Sequence, residues 1–457
     1  MIQQILSLTL GVFLFCAPLQ AQTLSAEFKQ QSVQQIGELL QKRYVFPDVA
    51  KTTAEHLEAR LKAGAFDGSN DVKSFAAALT TEAQSITHDK HIRVRVMGDK
   101  GNSKAGRPDP LTSFLDNRRG GSAGFSEVKI LEDNIGYLDL RGFAPPVEGK
   151  PMADHSMGLL AGTDAIIIDL RRNGGGNPAM VQYLCSYFFD KKVHLNSLYY
   201  REGNRTEEFW TLDQVGGVKM PGVPLFILTS DYTFSGAEEF SYNMQSRKRA
   251  TLVGETTGGG ANPGGMVPVN DQLAIFIPGG RAINPVTKTN WEGVGVIPEV
   301  KVSSEEALDK ALVLAKEAAV KYRQQNQERD MELAKPLFDA LSQYPNGKSE
   351  AEVLTLFKSC VEAGLMTEAD INMTGYEYLM GLDKPKTAEQ IFWCNTQLFP
   401  TSANTYDSYG EALLANGSTK KALKAYQKAV ELAEKSKDPN TEQFRENLNN
   451  LERDLKK

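Results

Sequence analysis

Between Leu24 and Ile86, apolar residues return every three or four positions. They do so in "SVQQIGELLQKRY", in "TAEHLEARLKAG" and, after the break "FDGSN", in "DVKSFAAALTTEAQSI". That period is the buried stripe of a helix, so it predicts a small N-terminal helical unit. At "HIRVRV" the period becomes strict alternation, which is a strand. Residues 98–124 are polar, rich in Gly, Asp and Arg, and read as a mobile loop. Short apolar runs then alternate with helical patterns. "NIGYLDLRGF" (Asn134–Phe143), "DAIIIDLR" (Asp164–Arg171), "VPLFILTS", "ATLVGETT" and "QLAIFIP" read as strands, and "NPAMVQYLCSYFF" and "GAEEFSYNMQS" as helices. Such alternation predicts an α/β layer around a central sheet. From Glu305 onward the pattern is helical to the end.

Within that last region Leu379, Ala388 and Phe392 return 34 positions later as Leu413, Ala422 and Tyr426. The period and the small-then-aromatic order resemble tetratricopeptide repeats; a plain pair of helical hairpins is the simpler alternative. One repeat cannot bury its own face, so a further, degenerate helical pair is predicted between about Glu332 and Glu368. The domains are therefore read as 1–21, 22–97, 98–320 and 321–457.

The first of these, "MIQQILSLTLGVFLFCAPLQA", is almost wholly apolar, has no acidic residue and ends in Ala21. It reads as a secretory signal peptide, which places the mature protein in the periplasm or outside the cell. Its run from Ile5 to Ala17 is short for a membrane span, and no other stretch approaches that length. With 41% hydrophobic and 24% charged residues the remainder is a soluble globular composition, and a net charge of −6 argues against nucleic acid or an anionic membrane surface as partner. The four cysteines, Cys16, Cys185, Cys360 and Cys394, are scattered, which implies neither a disulfide framework nor a zinc site.

Four stretches carry candidate chemistry. In "SDYTFSGAEEF", Ser235 sits where a buried strand gives way to a helix. The first turn of a helix leaves its amides free, so a hydroxyl beside the Gly236 N–H is what acyl transfer needs. An ordinary helix-capping serine is the alternative. In "IIIDLRRNGGGNP", Gly174, Gly175 and Gly176 follow a strand and free several amides for an anion. The stretch lacks the Lys-Ser/Thr ending of a nucleotide loop, which favours an oxyanion, with a tight turn as the alternative. In "THDKHIRVRV", His91 opens a strand and is one of five histidines; its ordinary pKa suits a general base. His88 and His91 straddle a loop-to-strand join, which discounts a metal pair, and an exposed histidine is the bland reading. In "NPVTKTNWEGVGVIPEV", Glu292 lies in a Gly- and Pro-punctuated loop, fit either to orient a histidine or to pair with a surface base. Ser235 does not lie in a G-x-S-x-G, since Thr233 holds the first glycine's place.

In this order the four stretches resemble the tail-specific, or C-terminal processing, family of serine peptidases over roughly Lys29 to Val302. "DLRRNGGG" is similar to the family's glycine loop, "TSDYTFSGAEEF" to its nucleophile segment, and "LVGETTGGGANP" and "NWEGVGVIPEV" to the segments that follow. "YVFPDVA" and "DKHIRV" resemble the retinoid-binding-protein-like and tricorn-like branch. In the other branch a lysine serves as base. Here Gly260 stands at that position, and no lysine occurs between Lys248 and Lys288. The resemblance implies a crotonase-like α/β core with an N-terminal helical cap; between His91 and the Asn134 strand there is too little chain for the family's PDZ insertion. It implies Ser235 as nucleophile, His91 as base, Glu292 as its partner, and an oxyanion hole from Gly236 with Gly175 or Gly176. It also implies peptide or unfolded-protein substrates, with neither cofactor nor metal. The branch carries a serine before the histidine where this chain has Lys90, which leaves Asp89 as an alternative orienter. The repeats are read as recruiting a protein partner. A catalytically degenerate peptide-binding module is the competing reading. The stretches 98–124 and 261–270 are read as loops that shape the pocket.

Overall fold

The computed structural model describes residues 24–97 and 121–456. The leader segment and nearly all of the 98–124 stretch lie outside the described residues. The chain divides into two compact units, the second beginning at Arg323.

The first unit opens with α1 (Ala26–Arg43), α2 (Pro47–Lys62) and α3 (Val72–Thr87). Each has a clear start signal: Ser25 caps α1, Pro47 occupies the first turn of α2, and Asp71 and Ser74 form a capping box on α3. Their apolar stripes, including Ile36, Leu40, Leu57, Phe75 and Leu79, bury together with Ile275 and Ile277 of a small sheet. That sheet has the order β1 (Arg93–Val96), β10 (Leu273–Pro278), β9 (Gly264–Pro268). The segment 261–270 is thus not wholly a loop: β9 runs through it, hidden from pattern reading by two glycines and a proline.

The central sheet has six strands. β2 (Phe125–Leu131) is antiparallel to β3 (Ile135–Leu140), which pairs in parallel with β4 (Ala165–Asp169). Beyond β4 come β7 (Leu225–Thr229), β8 (Thr251–Gly254) and β12 (Val300–Lys301), also parallel. The continuous apolar runs arise because both faces are covered. Leu138, Ile166, Ile168 and Ile227 face the helices α4 (Pro146–Leu160), α5 (Pro178–Ser186) and α6 (Gly236–Ser246), whereas Tyr137, Ile167, Leu228 and Val253 face Ala307, Ala311, Ala315 and Ala319. That alanine row lies along one stripe of α7 (Ala307–Gln343). A third sheet, β11 (Gly280–Ile283), β5 (His194–Tyr200) and β6 (Arg205–Trp210), completes the unit.

The second unit is helical. It contains the end of α7, then α8 (Glu350–Glu362), α9 (Glu368–Tyr376), α10 (Pro385–Leu398), α11 (Ala403–Ala415), α12 (Thr419–Ser436) and α13 (Thr441–Asp454). Capping boxes open α8 at Ser349 and α9 at Thr367. Cys360 and Cys394 are buried here, as Cys185 is in the first unit, and all three are free thiols. Among the described residues no helix is long and apolar enough to cross a membrane.

Candidate active site

The nucleophile candidate lies where β7 hands over to α6. The connecting turn is fastened to the end of β4. Ser230 Oγ donates to the Arg171 carbonyl at 2.6 Å, Thr233 Oγ1 donates to the Leu170 carbonyl at 2.8 Å, and the Phe234 N–H donates to the Asn173 carbonyl at 3.1 Å. These bonds set the turn, and Ser235 takes what conformation is left, φ 55° and ψ −119°. A side chain in that region costs on the order of 1–3 kcal/mol and is ordinarily replaced by glycine. The Ser235 N–H donates at 2.8 Å to Glu238, whose buried carboxylate also accepts from Thr257 Oγ1 and from the N–H groups of Gly259 and Gly260 at 2.5–2.8 Å. Burial raises the Glu238 pKa even against these four donors. Sequence reasoning overlooked Glu238; its signal was a capping-box spacing three residues after the serine.

The glycine loop after β4 reaches the same turn. Asn173 Nδ2 donates to the Leu140 carbonyl, and its Oδ1 accepts the Gly175 N–H at 2.9 Å. The Gly175 amide is therefore engaged. Gly176 and Gly236 are different: neither N–H has a hydrogen-bond partner among the described residues. The two loops touch so closely that a Cβ on Gly236 would stand 3.0 Å from the Gly176 nitrogen, and one on Gly175 would stand 2.7 Å from the Gly236 nitrogen. Of the two glycines the sequence offered, Gly176 is thus the one that leaves an amide free beside Gly236.

His91 and Ser235 line one cavity of about 420 Å³ together with Gly176, Gly236 and Trp291. The imidazole packs on Phe234, the residue before the serine, with ring centroids 4.6 Å apart, and stacks on Phe276 of β10. Neither ring nitrogen has a hydrogen-bond partner among the described residues, so no bond to Ser235 is formed in this state. Catalytic hydrogen bonds commonly tighten only when substrate is bound. The glycine at 260 also has a physical cause: a Cβ there would stand 2.6 Å from His91 Cε1 and 2.3 Å from Phe234 Cζ. Imidazole and phenyl ring occupy the space that a side chain at 260 would need.

Two carboxyls attend the histidine. Asp89 Oδ1 accepts the His91 backbone N–H at 2.9 Å and lies 3.4 Å from Nδ1. Its Oδ2 accepts from Tyr44 Oη at 3.3 Å and from Asn262 Nδ2 at 3.0 Å. Glu292 Oε2 accepts the Ala261 N–H at 2.5 Å, while its Oε1 is buried without a partner. Burial, reinforced by the Asp89 charge, pushes the Glu292 carboxyl well above the ordinary range. Donor atoms of Asp89, His91 and Glu292 all lie within 4.8 Å of one another. The trio has the donor set for a cation as well as for proton handling. Lys90 turns away, donating from Nζ to the Gly258 carbonyl at 2.7 Å, so it does not separate Glu292 from the ring.

Comparison with known proteins places this arrangement in a class. Residues 134–302 match the model of peptidase family S41, and residues 22–115 match the N-terminal domain of peptidase S41 in eukaryotic IRBP. The chain belongs to peptidase family S41, serine peptidases that hydrolyse peptide bonds. Among solved structures it is similar to a candidate peptidase from Parabacteroides merdae, at 17% identity over 63% of this chain and 96% of that one, with a TM-score of 0.46. It is similar also to the photosystem II D1 C-terminal processing protease, at 14% identity over 61% and 94% with a TM-score of 0.39. The tricorn protease gives 13% identity over 65% of this chain and 37% of that one, with a TM-score of 0.41.

Proposed function

We propose that the chain cleaves peptide bonds through an acyl-enzyme, with Ser235 as nucleophile and His91 as general base. The observation that carries this reading is Ser235 held at positive φ on the wall of a cavity that it shares with His91 and with the unpartnered amides of Gly176 and Gly236. His91 takes the hydroxyl proton as Oγ adds to the substrate carbonyl. The Gly176 and Gly236 N–H groups receive the oxyanion, and His91 returns the proton to the leaving amine. Asp89 and Glu292 are near enough to orient the ring once substrate is bound, and a carboxylate beside it favours the imidazolium formed midway. Water then repeats the sequence on the acyl-enzyme.

The test is Ser235→Ala and His91→Ala on a pool of unstructured peptides, with a serine-directed covalent reagent as second readout. Each variant should lose at least about a thousandfold in kcat, and the reagent should label Ser235 alone. Wild-type cleavage by both variants would refute the assignment. Absent labelling with retained peptide affinity would point to a binding module.

The reading extends to location and to the second unit. The leader ending at Ala21 supports action on exported polypeptides in the periplasm or outside the cell, and a mature N-terminus at Gln22 is the expected result of N-terminal sequencing. Two features support tetratricopeptide-like repeats, whose role would be to recruit a protein partner. A Cβ on Gly375 would stand 2.5 Å from the Phe392 ring, and one on Gly410 would stand 2.7 Å from the Tyr426 ring, so each aromatic packs on a glycine of the preceding helix. The glycines are spaced 35 apart and the aromatics 34; the π-helical turn Glu377–Gly381 absorbs one extra residue. The crotonase-like description of the core rests on the motif resemblance and on the parallel strands β3, β4, β7, β8 and β12.

A further inference from the structure

Glu238 and Glu239 are neighbours in sequence and opposites in environment. Glu238 is saturated by four donors. Glu239, 6% exposed, has no salt bridge among the described residues, yet it lines the cavity that holds Ser235. It follows the serine by four residues, in the first turn of α6, and lines the same cavity. The Asn196 amide of β5 is the polar group that bears on its carboxyl. Asn196 is itself fully buried, and its amide oxygen has no hydrogen-bond partner among the described residues. One turn further along α6, both polar atoms of the buried Asn243 amide are also unpartnered. Glu239 shares the cavity lining with the apolar residues Leu198, Ala282, Pro178 and Trp291.

Buried polar atoms without partners demand an explanation, and a buried carboxyl without a cation demands it most. An apolar shaft over an acidic floor fits a side chain with a long hydrocarbon stem and a positive head. We infer that Glu239 and Asn196 form the floor of the subsite for the substrate residue on the acyl side of the cleaved bond, and that this floor selects lysine or arginine. The inference rests on the peptidase reading for its placement beside Ser235. The stem would lie between Leu198 and Ala282, and the head would meet the Glu239 carboxylate and the Asn196 amide oxygen. Burial holds the Glu239 carboxyl up to about 7 when no cation is present, and a bound cation would draw it down. Lys90, Arg93 and Arg95 also border the cavity, but their side chains are exposed and screened by solvent.

The experiment uses peptides identical except for one position that carries lysine, arginine, norleucine, alanine or glutamate, with mass spectrometry to map the cleaved bond. Cleavage should follow lysine or arginine, with kcat/KM about 100-fold above norleucine. Glu239→Gln should bring that ratio to within about threefold, and Glu239→Lys should turn it toward glutamate. The same peptides are titrated onto Ser235→Ala by fluorescence anisotropy, where lysine should bind about tenfold tighter than norleucine and lose that advantage in Ser235→Ala/Glu239→Gln. Equal or better cleavage after norleucine or alanine overturns the subsite and leaves the peptidase reading intact. Absent cleavage with the affinity ratio preserved does the reverse. Should Glu239→Gln not fold, as judged by circular dichroism, the wild-type and Ser235→Ala ratios decide the question.

Discussion

The region around Ser235 and the C-terminal helices differ in how far local preference and tertiary packing agree. In the helical unit local and global preferences largely agree: capping boxes start the helices at Ser349 and Thr367, alanines meet aromatics across the hairpins, and the buried atoms without partners among the described residues are the lone amide oxygens of Asn372 and Asn395. Around Ser235 they disagree. A serine takes a glycine's conformation, and both His91 nitrogens, Glu292 Oε1, the Asn196 amide oxygen and the Asn243 amide are buried without partners. Tolerated conflict of this kind marks the place where structure has been arranged for a ligand or a reaction instead of for stability.

Substitutions should separate the two regions. The largest effect is expected from Phe392→Ala, which empties a fully buried site against Gly375. It should cost about 3–5 kcal/mol in unfolding of the helical unit, followed by denaturant titration, with kcat/KM on short peptides changed less than about twofold. A comparable loss of activity would show that the contrast is false. Gly176→Ala should do the converse. At φ 148° its Cβ would stand 2.2 Å from the Phe143 carbonyl oxygen, so the loop must shift and take its amide with it. A fall of about 100-fold in kcat at nearly unchanged KM is expected, and unchanged kcat would remove Gly176 from the oxyanion hole.

The smallest effect concerns pH. Because burial raises the Glu239 pKa to about 7, the native state holds that proton more tightly than the unfolded chain does. Its stabilising contribution is full below the ordinary carboxylate range and is lost as pH rises through about 7. Glu239→Gln cannot ionise, so its melting temperature should fall less than that of the wild type between about pH 5 and pH 8. Glu292 and Glu238 are shifted in the same direction and will keep part of the slope. Parallel profiles for wild type and variant would place Glu239 in a wetter setting than its burial implies.

Much of this was legible in the chain. The buried strands β4 and β7 announced themselves as apolar runs, and the serine at a strand–helix junction, the triple glycine and the histidine were visible as motifs, although His91 lies in the turn before β1 and does not open the strand. The hairpin β5–β6 was missed because β6, "RTEEFW", is largely exposed and polar and has no alternation to find. Glu239 and Asn196 were missed for a different reason. A glutamate on an amphipathic helix reads as solvated, and only packing against β5 buries it.

By itself the sequence determined the period of each element, the caps that start the helices, and which residue types sit at each junction, because these depend on neighbours a few positions apart. Tertiary structure alone decided that an imidazole from position 91 shares a wall with a hydroxyl from position 235, and that the Gly176 amide stays free while Gly175 is bound by Asn173. It also decided that one of two adjacent glutamates is saturated and the other is not. Those outcomes depend on which distant groups reach a buried donor or acceptor first, and that competition is settled only when the chain has closed around it.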